Sequence, residues 1–148
     1  MSDAIAARKL VETVTSLPGY TSAVGTRVEF ADVGNVHLAL DKRPDLLQFN
    51  GFFHGGVISG LADHAAGGAV STALPQGKIA VTIDLHVNFL APAKGDRIVA
   101  KAKAIQMGGT VCVATVDVVM QSGEQEASCA FATVTLRVVD MPRSGDRG

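Results

Sequence analysis

Apolar residues recur at helical spacing where the chain begins. Ile5, Leu10, Val11 and Val14 stand among Arg8, Lys9 and Glu12. This predicts an amphipathic helix over 3–16, ended by Leu17-Pro18-Gly19. The period then changes. Val24, Arg27, Val28 and Phe30, followed by Val36, Leu38 and Leu40, read as two short strands joined at Asp32-Val33-Gly34-Asn35. A loop follows from Asp41 through Pro44 to Asn50. Between His54 and Leu74 the helical spacing returns at Ile58, Leu61, Ala62, Ala65 and Ala69, and Pro75-Gln76-Gly77 stops it. Five glycines lie in this stretch. Each weakens an exposed helix by about 1 kcal/mol, so they predict a helix that another backbone approaches closely.

After Lys78 the pattern alternates. Val81, Ile83, Leu85, Val87 and Phe89 fall on one face of the predicted strand, and Thr82, Asp84, His86 and Asn88 on the other. Ala91-Pro92-Ala93-Lys94-Gly95-Asp96 reads as a turn. Further strands are predicted over 97–106, 110–121 and 126–139, separated by Gly108-Gly109 and Ser122-Gly123-Glu124. Several are apolar on both faces. Strands buried on two sides, beside one long apolar helix, predict an α+β fold in which a mostly antiparallel β-sheet wraps a long central α-helix. There is no internal repeat, and one domain over 1–148 is expected. The tail from 141 to 148, rich in Pro, Gly and charge, is expected to be disordered.

Composition narrows the function classes. The chain has 148 residues, 18% of them charged, with a mean hydropathy of +0.28. That excludes a highly solvated, unfolded chain. A formal net charge of −1 excludes a bulk basic footprint for nucleic acid. No apolar run reaches the roughly 18 residues of a membrane helix. Asp3, Arg8, Lys9 and Glu12 rule out a secretory signal in the first twenty residues. Cys112 and Cys129 form neither a disulfide framework nor a zinc spacing, so a cytoplasmic protein with free thiols is expected.

Asp63 is the one carboxylate in the 54–74 helix, among small or apolar helical neighbours. Two readings stand side by side. It is a surface residue on a short polar face, or it is held in a dry place where desolvation would raise its pKa and make it a better base. Gly55-Gly56 begins the same helix, where N–H groups lack intrahelical partners. Such an amide suits an oxyanion; the alternative is a flexible helix entry. His54 either caps the helix or bonds a substrate. His64 points about a quarter-turn from Asp63 and is not read as part of one site. His37, His54, His64 and His86 form no metal motif, and no nucleophile elbow, phosphate loop or dinucleotide fingerprint occurs. Gly55 and Asp63 lie eight positions apart, or about 12 Å along one helix axis. A base and an oxyanion donor must each come within about 3 Å of the atom they serve. One helix does not allow that. Two antiparallel copies do, so cooperation between these residues requires at least a dimer.

Gln48-x-x-Gly51-x-x-His54-Gly55-Gly56, then Leu61-Ala62-Asp63, and the strand from Val81 to Asp96, together resemble the hotdog-fold acyl-CoA thioesterases of the phenylacetate-degradation (PaaI-like) family. The resemblance spans about residues 20 to 139. It implies the hotdog fold, dimerised edge to edge and often tetrameric. It implies that Asp63 activates water or attacks the thioester, that the Gly55 N–H polarises the carbonyl, and that Gln48 places water or substrate. It further implies that His54 supports the carbonyl end and that Thr82 orients the water or leaving group. Gly56, Asn50, Phe53 and Lys94 are the implied substrate-binding residues. Many members have Asn where this chain has Gln48, and a basic residue where it has Gly109. Coenzyme phosphates are then left to Lys94, Arg97, Lys101 or Lys103, of which at least two read as ordinary solvated charge.

The expected activity is therefore hydrolysis of a small aromatic or short- to medium-chain acyl-CoA to the free acid and CoA. Coenzyme A is part of the substrate; no separate cofactor and no metal is expected. A membrane or nucleic-acid partner is not expected either. The rival readings are a hotdog-fold acyl-thioester hydratase or dehydratase, which usually pairs a His with a carboxylate, and a non-catalytic acyl-CoA-binding protein.

Overall fold

In the computed structural model, which describes residues 2–143 and 145, the first amphipathic stretch forms α1, Asp3–Ser16. Ser2 caps it by accepting the Ile5 N–H, and Ala7, Val11 and Thr15 are its buried face. The next segment departs from the expected strand. Tyr20–Ala23 makes a single helical turn, α2, and Gly25 at φ +82° redirects the chain before strand β1, Arg27–Asp32. Only a residue at ease with positive φ makes that reversal without strain. β2, Asn35–Asp41, follows the expected turn, and the loop after it holds a 3-10 turn, Pro44–Leu46. The central helix α3 is Gly55–Thr72. β3 (Lys78–Phe89), β4 (Arg97–Met107), β5 (Val111–Ser122) and β6 (Gln125–Asp140) complete the chain. The Met141 N–H donates to the Gly77 carbonyl at 2.8 Å, which ties down the first residue of the expected frayed tail. Of that tail, residues 144 and 146–148 lie outside the described residues.

The strands form one antiparallel sheet in the order β1-β2-β4-β5-β6-β3. Three hairpins join sequential strands. β3 is different: the chain leaves α3 and crosses to the far edge, beside β6. α3 lies against the inner face of the sheet. Its Ile58, Leu61, Ala62, Ala65 and Ala69 bury against Leu38, Leu40, Ile98, Val116, Val134 and Leu136. Each large side chain so enclosed contributes roughly 1.5–3 kcal/mol relative to exposure.

Within one chain, side chains approach some of the α3 glycines: a methyl on Gly60 would sit 2.5 Å from the Tyr20 hydroxyl, and one on Gly68 3.4 Å from Val36, whereas Gly67 faces nothing within 4 Å. One expectation needs correction: the simple alternation of β3 fails. Its register with β6 shifts between Thr82 and Asp84. Before the shift Thr82 lies opposite the buried Leu136; after it, Leu85 and Val87 lie opposite the buried Val134 and Ala132. The extra residue, Ile83, reverses the phase. Thr82 therefore shares the helix-side face with Leu85 and Val87, while Val81 and Ile83 are exposed at 43% and 58%.

Candidate active site

The segment before α3 is built to hold the helix entry. Gln48 accepts the Gly51 N–H on its carbonyl and donates its own N–H to the Phe52 carbonyl. Gly51, at φ +81°, makes that tight loop possible. The Phe53 N–H then donates to the Ala93 carbonyl, and the His54 N–H to the Leu46 carbonyl. With its backbone held on both sides, His54 caps α3: its Nδ1 accepts the Gly56 N–H at 2.9 Å.

This capping separates the two glycines. The Gly56 N–H, expected to face substrate, is taken by His54. The Gly55 N–H meets no acceptor among the described residues. Gly55 lines a cleft of about 440 Å³ with Gln48, Phe52, Phe53, Ile58, Phe89 and Leu90–Ala93. The Gln48 Oε1 accepts the Asn50 N–H at 2.8 Å, which aims the side-chain amide and leaves Asn50 itself on the exposed loop. Phe53 is buried at the inner wall of the cleft, and Phe49 points away, 96% exposed. The Lys94 ammonium stands 5.5 Å from the centre of the Phe52 ring, at cation–π distance on the cleft margin.

Two turns along α3 a second group of residues meets. Thr82 Oγ1 donates to Asp63 Oδ1 at 2.6 Å. The register shift in β3 makes this contact possible by bringing Thr82 round to the helix. Asp63 is half-buried in the single chain and so is not enclosed there. The Gly55 and Asp63 groups are separated by eight residues of unbroken helix, about 12 Å of axial rise. Within one chain these two groups of residues do not meet.

The remaining expected residues fall elsewhere. His64 Nε2 lies 2.9 Å from the hydroxyl of buried Thr15, so it joins α3 to α1; burial holds its pKa below the ordinary value, against the opposing pull of Asp63. Arg97 pairs with Glu29 at 2.7 Å and bonds Gln121, and Lys101 pairs with Glu126, so both serve the outer sheet face. Lys103 has no ion-pair partner among the described residues. Cys112 and Cys129 are buried and unpaired, and burial pushes the Cys129 thiol up to about 11, which keeps it protonated and inert. No group of three metal-ligating side chains converges among the described residues, and no helix there is long and apolar enough to cross a membrane. Sequence reasoning missed Phe89. Its alternating position reads as ordinary core, and only the end of β3 against the start of α3 places it in the cleft.

The chain is similar to known proteins in sequence and fold. Residues 50–127 match the thioesterase superfamily. A Halobacterium salinarum protein that carries only a provisional esterase name is 36% identical over 130 residues, 84% of this chain and 85% of that protein. The medium/long-chain acyl-CoA thioesterase YigI of Escherichia coli is 28% identical over 134 residues, 80% of this chain and 84% of its own. The solved E. coli PaaI protein from the phenylacetic acid degradation operon matches with a TM-score of 0.83 over 93% of this chain and 96% of that one, at 22% identity. That last likeness is one of fold, and the fold is the hotdog.

Proposed function

The chain belongs to the thioesterase superfamily and is a thioester hydrolase, and from that premise we propose that it cleaves acyl-CoA at sites completed by two copies of the chain. The observation that carries the reading is the Thr82–Asp63 bond at 2.6 Å, whose Asp63 sits on the same helix as the Gly55 N–H but about 12 Å from it. The two groups suit the two needs of thioester hydrolysis. The amide stabilises the oxyanion, and the carboxylate serves the attacking water.

The edge position of β3 supports the pairing. Its twelve residues leave an outer row of backbone groups without a strand partner, and Val81 and Ile83 are exposed beside it. Long apolar edges of this kind are covered in stable proteins. A second copy added antiparallel along β3 sets the two α3 helices side by side in opposite directions. Gly67, with nothing within 4 Å, permits their approach. Gly55 and Gln48 of one protomer then face Asp63 and Thr82 of its partner.

In the direct route, Asp63 takes a proton from water as the oxygen bonds to the thioester carbon. The Gly55 N–H holds the oxyanion; the C–S bond breaks as the carbonyl re-forms, and the departing thiolate recovers a proton. In the alternative route Asp63 itself bonds the carbonyl carbon, expels the thiolate and gives a mixed anhydride that water opens. Gln48 places water or substrate, His54 supports the carbonyl end through the cap it makes, and Lys94 meets coenzyme phosphate at the cleft margin. The hotdog hydratases usually pair a His with a carboxylate, and His64, next to Asp63 in sequence, is instead engaged with Thr15.

Thiol release from aromatic and aliphatic acyl-CoAs, read with a thiol reagent, tests the activity. The expected result is stoichiometric free CoA and acid; saturable binding without turnover across the panel would leave a binding protein only. Oxygen-18 water under single turnover then tests the anhydride route, because water that opens the anhydride at the Asp63 carbon leaves label in that carboxylate, whereas the direct route labels only the acid.

A further inference from the structure

We propose that Phe89 is the specificity-determining residue of the cleft, a flat wall that selects aryl acyl groups over flexible saturated chains. The proposal rests on the reading of the Gly55 N–H as the group that holds the thioester carbonyl. A methyl built on Gly55 would lie 3.2 Å from Phe89 Cζ and 3.4 Å from Cε1. The ring therefore lies in van der Waals contact with the first residue of α3, beside its amide. A carbonyl bound by that amide has its acyl substituent next to the ring.

Phe89 suits this position for reasons of register. It is the last residue of β3 and lies opposite Ala130, on the helix side of the sheet after the Ile83 shift. Ala130 is fully buried, yet Phe89 is 56% exposed. A large apolar side chain on an inward position, left more than half in water, has an unoccupied face. Phe52 and Phe53 line the same cleft, so three of the six phenylalanines of the chain converge there. Aromatic rings gain from offset or edge-to-face partners at ring-centre distances of about 4.5–7 Å, a gain a methylene chain does not return.

The contact also explains why residue 55 is glycine: a side chain there would push the ring into the space the acyl group needs. Gly55 and Phe89 are thus predicted to be energetically coupled.

The test compares wild type, Phe89→Leu and Phe89→Ala on benzoyl-CoA and octanoyl-CoA by thiol release, with calorimetric affinities for the non-hydrolysable thioether analogues of both. Wild type is expected to favour the aryl group, and each variant to lose about tenfold in benzoyl kcat/KM and affinity, the effect of one aromatic partner, with a smaller loss for octanoyl, so that the benzoyl-to-octanoyl ratio falls. Gly55→Ala is expected to lower benzoyl turnover in wild type and to lower it less in the Phe89→Ala background. The proposal is overturned if wild type prefers octanoyl, or if the benzoyl-to-octanoyl ratio is the same in all three proteins. If neither thioester is cleaved but the analogues bind with the Phe89-dependent ratio, the reaction assignment falls and the specificity assignment stands. If neither analogue binds, both fall.

Discussion

Replacing Gly55 with proline removes one hydrogen-bond donor and sets a Cβ against the Phe89 ring. Residue 55 is the first position of α3, where proline is tolerated because its N–H has no helical partner. The preceding residue, His54, already has φ −64° and ψ 139°, the extended conformation that proline imposes on its predecessor. The added Cβ meets the edge of the Phe89 ring at 3.2 Å, and the ring needs to give by only a few tenths of an ångström. Loss of one oxyanion donor lowers turnover by about a hundredfold to a thousandfold. Asp63→Asn removes the other half of the proposed reaction centre. Each variant alone is then nearly inactive. After 1:1 mixing with exchange of protomers, half of the dimers are mixed. In a mixed dimer one site combines both substitutions, and the other combines an unaltered Gly55 with an unaltered Asp63. Recovery of about a quarter of wild-type activity is expected from that geometry. Thiol release measures it, and native mass spectrometry counts the mixed dimers. Mixed dimers present in the expected share, with activity no higher than either parent, would refute a site shared between protomers.

Further expectations follow from individual contacts. Asp63→Asn is expected to lower kcat by at least about a hundredfold with an unchanged circular dichroism spectrum, since in the proposed mechanism the carboxylate is the base or nucleophile. Thr82→Val removes the 2.6 Å bond to Asp63 and is expected to lower kcat by about tenfold, the worth of one hydrogen bond to a charged group, with less change in KM; unchanged kcat would detach Thr82 from the mechanism. Burial depresses the pKa of His64 below its ordinary 6.5, so the unfolded chain takes up its proton first as pH falls. Stability is then full above about 6.5 and declines as pH drops through the folded-state pKa. His37, shifted the same way by burial and Lys101, adds to the slope. The fall in Tm between pH 7.5 and 5.5 is expected to be smaller in His64→Gln than in wild type; an equal fall would remove His64 as a source. A methyl on Gly95 would lie 2.5 Å from the Gln121 carbonyl oxygen and 2.9 Å from its nitrogen, both backbone atoms that do not yield easily. Gly95→Ala is expected to cost about 1–3 kcal/mol, seen as a Tm several degrees lower.

Periodicity along the chain was enough to place the amphipathic helix at 3–16, the β1–β2 turn at Asp32–Asn35, the central helix and the three strands after Gly95, because each depends on contacts between residues close in sequence. The helix-start motif was equally readable: His54-Gly55-Gly56 lies at the N-terminus of α3, where the orphan N–H groups are. Folding in three dimensions decided the rest. Strand order put β3 at the sheet edge, and no local pattern states which strand pairs with which. The single extra residue Ile83 inverted the phase of β3 and turned Thr82 toward Asp63, a choice made by the register with β6. The His54 imidazole took the Gly56 N–H and left Gly55 open, and Phe89 came to rest on Gly55 from 34 residues further along the chain. Side-chain type and spacing determine which elements form, since those depend on neighbours within a few residues. Which functional groups come within a hydrogen bond of each other depends on pairings between distant segments, and an energy summed over the whole packed structure selects those.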